Sequence, residues 1–132
     1  MSKPILCVDF DGVIHSYVSG WKGATIVADP PVPGALRWLW KATEWWDVNI
    51  YSSRSKDFGG IDAMADWLHY WAAQEWKDNR FANDFLAAMT FPKQKPAAKL
   101  TIDDRAICFE GNWHAVEMDP ANLLLFKPWY QR

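Results

Sequence analysis

The stretch Ile5-Leu6-Cys7-Val8-Asp9-Phe10-Asp11-Gly12-Val13 constrains this chain more than any other. It begins as a short apolar, β-branched run, which predicts a buried strand. It ends in two carboxylates, Asp9 and Asp11, with Gly12 to release the chain. Alternation puts both carboxylates on one side if the strand continues. Such a strand sits centrally in a parallel α/β sheet, and these sheets hold ligands outside their carboxyl edges. Two carboxylates there repel one another and resist burial unless a cation neutralises them. A divalent metal is therefore expected where a substrate would bind. A lone Asp-x-Asp is also a common turn element, so the weight falls on the polar residues further along the chain.

The rest of the chain reads as an α/β domain. At 132 residues it suits one domain, 1–132, with enough chain to bury an independent core. Half the residues are hydrophobic and the formal charge is −2, which excludes a disordered chain and a general electrostatic footprint on nucleic acid. Recognition of a nucleic-acid end stays open. Most of the ten tryptophans are expected in the core or between helices, some in an aromatic substrate surface. Cys7 and Cys108 lack a CxxC partner and read as small buried hydrophobes in a reduced cytosol. No leader and no apolar run near the ~20 residues of a membrane span is visible, so a soluble, cytoplasmic protein is expected.

After Asp11, the runs Ile14/Tyr17 and Thr25–Val27 flank a Gly20-Trp21-Lys22-Gly23 tip, suggesting a β-hairpin flap over the acidic pair. His15, Trp21 and Lys22 are candidate substrate contacts there, weighed against local packing and solvation. Prolines 30, 31 and 33 precede a packing helix over 35–46. Residues 47–51 read as the second strand, ending in Ser52-Ser53-Arg54-Ser55, whose hydroxyls and amides suit a phosphate or simply cap a helix. An amphipathic helix is expected over 61–77, carrying a structural His69; a polar break comes next over 79–84, then a short helix or strand over 85–91. Leu100 to Ile102 repeats the opening logic, an apolar strand ending in Asp103-Asp104. Residues 106–109 form another apolar run, and 120–126 a last short helix.

In order, then, the chain offers Asp9-x-Asp11, Ser52, a lysine within Lys93–Lys99, and Asp103-Asp104. This series resembles the haloacid dehalogenase (HAD) superfamily of phosphohydrolases, whose DxDG signature stands here as Asp9-Phe10-Asp11-Gly12. The similarity runs from Ile5 to about Phe109. It implies a three-layer, HAD-like parallel sheet flanked by helices. It also implies a Mg²⁺-dependent phosphomonoesterase working through an aspartyl-phosphate. By resemblance Asp9 is the nucleophile and Asp11 the acid and base, Ser52 binds the phosphoryl oxygens, and Lys95 is the motif lysine. Asp9, Asp11, Asp103 and Asp104 form the metal set, and Ser53, Arg54 and Gly12 are further substrate contacts. Lys93 and Lys99 compete with Lys95. Lys99 lies about 13 Å down the strand from Asp103, at the wrong end. The stretch from Lys95 to the last strand is too short for the usual helical crossover. Arg54 has two readings, a substrate phosphate or a surface carboxylate, and Arg105 reads as a structural partner of the acidic loop.

About forty residues separate Asp11 from Ser52, and as many separate Ser52 from Lys95, so no cap domain fits. The expected substrate is a small phosphorylated metabolite such as a nucleotide or sugar phosphate. The alternatives are the 3′-phosphate of a nucleic-acid end, or a non-catalytic phospho-receiver or binding module. A receiver would end its middle strand in an aspartate, where this chain has Ser52-Ser53. No membrane partner is expected.

Overall fold

Strand β1 (Ile5–Val8) lies between β2 (Asp47–Ile50) and β3 (Leu100–Ile102) in a three-stranded parallel sheet, order β2-β1-β3. The computed structural model describes residues 2–132. Val8 pairs with Ile50 on one side and Ile102 on the other, so the three strands stop at one level. The residues that emerge together at the carboxyl edge are therefore Asp9, Tyr51-Ser52 and Asp103-Asp104. Register alone assembles those sequence motifs.

Helices α1 (Ala35–Ala42), α2 (Gly60–Trp76) and α3 (Asn79–Ala87) flank the sheet. Leu36 and Leu39 from α1, Met64, Leu68 and Ala72 from α2, and Ala82 and Phe85 from α3 join Leu6, Val8, Val48 and Ile50 in one buried cluster. Each of these buried side chains is worth roughly 1.5–3 kcal/mol of burial if large and apolar, which ties the helices to the sheet. Cys7, alternating with Leu6 and Val8, points away from that cluster and lines a cavity at the carboxyl edge of the sheet.

Several expectations are corrected. Helix α1 stops at Ala42 because the Thr43 hydroxyl donates back to the Trp40 carbonyl (2.6 Å) and the chain turns into β2. The expected polar break over 79–84 belongs to α3. Asp78 caps that helix by accepting from the Arg80 and Phe81 amides, and Phe81, Ala82 and Phe85 turn its apolar side inward. Thr90 then pairs with Asn49 in an isolated parallel bridge beyond β2.

The 12–31 segment is not a hairpin of two strands. His15 bridges Pro31, and Ser16 and Val32 bond across to Pro30 and Ile14, but the 17–28 tip is loop. Proline at 30 and 31 removes the amides that a second strand would need. The apolar run 106–109 is exposed coil and forms no strand, with Cys108 exposed rather than buried. Trp67 is buried and Trp40, Trp46, Trp71 and Trp76 pack half-buried against the core, whereas Trp21, Trp38, Trp45, Trp113 and Trp129 are exposed. The short α4 (Pro120–Leu123) forms, capped by Asp119. Among the described residues no helix is long and apolar enough to cross a membrane.

Candidate functional site

Beyond the carboxyl ends of the three strands opens a cavity of about 380 Å³. Asp9, Asp11, Ser52, Ser53, Lys95, Asp103 and Asp104 all line it. Residues from four separated stretches of the chain thus share one solvent space.

Asp9, Asp103 and Asp104 each bring a carboxylate oxygen into a group whose members lie within 4.8 Å of one another. Burial pushes the Asp9 carboxyl up to about 8, helped by a hydrogen bond shared with Asp104 and by the negative charge of its neighbours. A carboxyl so perturbed is short of positive charge. All-oxygen, anionic and convergent, the set fits a hard divalent cation such as Mg²⁺. Asp103 is exposed and accepts from the Arg105 amide (2.8 Å), while the Asp104 side chain is 3% exposed. The backbone of Asp9 is set by its own amide, which donates to Ile102 on β3 (2.9 Å).

Asp11 lives in the opposite electrostatic setting. Arg54 grips it as a fork, Nε to Oδ2 at 2.9 Å and a terminal nitrogen to Oδ1 at 3.1 Å. His15 adds a bond from Nδ1 to Oδ1 at 2.8 Å. The other ring nitrogen, Nε2, accepts from the Asp29 amide (3.1 Å), which leaves the proton on Nδ1 to be donated to Asp11. Burial works to raise the Asp11 carboxyl, but the His15 and Arg54 hydrogen bonds outweigh it and hold Asp11 below its usual range. Oδ1 accepts two donors and Oδ2 only one, so Oδ2 keeps a lone pair free.

Two expected substrate contacts have other employment. Arg54 is fully buried, and its other terminal nitrogen donates to the Gly23, Ala24 and Ile26 carbonyls at 2.9–3.0 Å. Its partner is a carboxylate, but an interior one rather than one at the surface. It ties the 17–28 loop to Asp11 and is not itself part of the cavity lining. Gly12, at φ 81°, also stands outside that lining. A side chain there would put its Cβ 2.6 Å from the Tyr130 ring and closer still to the Asp104 carboxylate. Gly12 makes room. We expect Gly12→Ala to cost about 1–3 kcal/mol from overpacking alone, read as a lower urea midpoint with unchanged slope. An unchanged midpoint would mean that the tail around Tyr130 is not packed there.

His15 is likewise no surface contact: it is buried between Asp11 and Asp29. Lys22 is exposed and outside the cavity lining, whereas Trp21 lines it. Ser52 is buried, caps the following 3-10 turn by accepting from the Arg54 amide (3.2 Å), and keeps its own hydroxyl proton for another acceptor. Capping and phosphate binding can therefore coexist in one serine. Of the three lysines, Lys95 lines the cavity. Lys93 lines a different surface depression, and the Lys99 amide bonds Ile5 at the amino end of β1. No helix is needed for that placement, because the irregular 91–99 segment carries the chain from Thr90, beyond β2, to β3.

Sequence reasoning missed the tail. Tyr130 donates to Asp104 Oδ2 (2.8 Å), and Trp129 Nε1 donates to the Gly12 carbonyl (2.7 Å). Arg105 completes the link, donating to the Tyr130 hydroxyl at 3.3 Å and standing 3.9 Å from Asp104. The Tyr130–Asp104 hydrogen bond and the aromatic Tyr17–Tyr130 contact put the C-terminus into the wall of the cavity. The only signal in the sequence was a pair of aromatics near the end, which points nowhere by itself.

No family model matches the chain, and neither the curated proteins nor the solved structures contain a match to it.

Proposed function

We propose that the protein is a Mg²⁺-dependent phosphomonoester hydrolase of HAD-like, capless, three-layer type, acting through an aspartyl-phosphate on a small phosphorylated metabolite. One observation carries the reading: the carboxylates, serine hydroxyl and lysine that this chemistry requires line a single cavity at the carboxyl edge of the sheet.

Asp9 would attack the phosphoryl group and Asp11 would serve the proton transfers. Held ionised by Arg54 and His15, with a lone pair on Oδ2 free, Asp11 is better prepared to take a proton from the hydrolytic water than to give one. Ser52 and Lys95 would bind the phosphoryl oxygens, the hydroxyl by donation and the ammonium by charge. Ser53, beside Ser52 on the lining, offers a second hydroxyl. Asp9, Asp103 and Asp104, with the backbone of Asp11, would hold Mg²⁺, which supplies charge neutralisation at the transferring group. The 12–31 loop would act as a flap whose position Arg54 fixes against Asp11.

The test is phosphate release from an aryl phosphate at neutral pH. Release should require Mg²⁺, vanish with EDTA and return when Mg²⁺ is added in excess. Release that is indifferent to EDTA would end the metal-dependent reading. Absence of release from any phosphomonoester would leave a non-catalytic receiver or binding module instead.

A further inference from the structure

The cavity carries a second set of side chains that take no chemical step in phosphoryl transfer. Tyr17, Trp21, Tyr51 and Tyr130 all line it. They come from the loop after β1, the end of β2 and the C-terminal tail, so the fold gathers them from three places. Phosphoryl transfer is served by carboxylates, cations and hydroxyls, and aromatic rings add nothing to it. Tyr130 also holds Asp104, and the rings together offer an aromatic surface to whatever carries the phosphate.

Three of the rings have anchoring contacts. Trp21 is 50% exposed, yet its indole lies on the Arg54 guanidinium, whose central carbon is 4.8 Å from the ring centroid. Arg54 is itself buried and locked to Asp11 and three loop carbonyls. Trp21 is therefore an open aromatic platform on a rigid base. Tyr17 adopts φ 61°, a left-handed conformation that a bulky residue rarely takes. Its ring meets His15 and Tyr130 edge-on, with centroids 5.8 and 6.3 Å away. Tyr130 is anchored through its hydroxyl to Asp104.

We infer that this aromatic collar binds a planar heterocycle, so that the substrate is a nucleoside monophosphate and not a sugar phosphate. The inference rests on the phosphatase reading for the phosphate end and adds the base end. Stacking a base on an aromatic side chain contributes enough to change affinity by about tenfold or more, and a bare sugar has no π-face to offer. The charge argues for a single nucleotide rather than a polynucleotide end. Among the described residues only Lys95 and Arg105 add positive charge to the lining, enough for one phosphate and too little to track a backbone.

Calorimetric titration of the Asp9→Asn protein in Mg²⁺ tests it, since binding can then be read without turnover. The ligands are 5′- and 3′-nucleoside monophosphates, ribose 5-phosphate and a short 3′-phosphorylated oligonucleotide. A mononucleotide should bind at least about tenfold tighter than ribose 5-phosphate. Trp21→Ala, exposed enough to leave the core untouched, should erase most of that ratio. Equal affinities, binding of neither, a ratio that survives loss of Trp21, or tightest binding of the oligonucleotide would each overturn the inference. Wild-type release from an aryl phosphate is read separately. Its failure sinks the hydrolase, whereas the collar stands or falls on the binding ratio.

Discussion

Asp9→Asn should lower phosphate release by at least about 1000-fold, since it removes the nucleophile proposed for the reaction and leaves only binding and electrostatic help. The same change should make the metal-free protein more stable at alkaline pH. In the folded chain the Asp9 carboxyl titrates at about 8, against an ordinary value of 3.8. A group raised in this way contributes stability that is complete below 3.8 and is lost as pH climbs through about 8. Metal-free wild type should therefore lose stability steadily from about pH 4 to 8, and Asp9→Asn should not. Mg²⁺ should flatten the wild-type profile, because the cation neutralises the ionised carboxylate. It should protect the Asn variant much less. Thermal or urea unfolding across that pH range, with and without Mg²⁺, reads all three effects. A variant that keeps full activity, or a wild type with no alkaline loss, would remove Asp9 from the roles given to it.

Arg54→Gln should produce the largest loss of stability from one side chain. It leaves the Asp11 carboxylate, 14% exposed, without its bidentate partner and leaves the Gly23, Ala24 and Ile26 carbonyls short of a donor. Breaking a buried pair from one side costs about 3–5 kcal/mol, a large part of the 5–15 kcal/mol typical of a whole domain. Urea unfolding should show the midpoint falling by at least about 1 M. Asp11→Asn on the same background should restore more than half of the loss, because the stranded charge is then gone. Below pH 4 the gap should narrow. Asp11 is held below its ordinary value of 3.8, so the stability it contributes is present above that value and disappears as pH falls through its folded value. A midpoint shift worth less than about 1 kcal/mol would mark the pair as no better than a surface ion pair.

The strand ends were legible because strand signals are local. A short β-branched run, a carboxylate at its end and a period of two suffice to place Asp9, Ser52 and Asp103 at strand termini, and parallel register then levels them. Helix α2 was legible for the same reason, through a stripe long enough to show its period. Helix α3 was not, since its polar residues Asn79, Arg80, Asn83 and Asp84 mask the inward side formed by Phe81, Ala82, Phe85 and Leu86. The loop after Asp11 misled because its β-branched residues suggest strands, while its prolines lack the amides, and Arg54 takes up the carbonyls, that a hairpin would pair.

By itself the sequence determined the α/β class, the parallel sheet with a central first strand and the series of carboxylates, hydroxyl and lysine, all read from neighbouring residues. Tertiary structure alone decided what Arg54, Trp129 and Tyr130 bond to. Arg54 meets Asp11 across 43 positions, and Trp129 meets Gly12 across 117. No local pattern encodes such partners, because a side chain's charge and shape say what it can bond, and only the folded path of the chain says what it reaches.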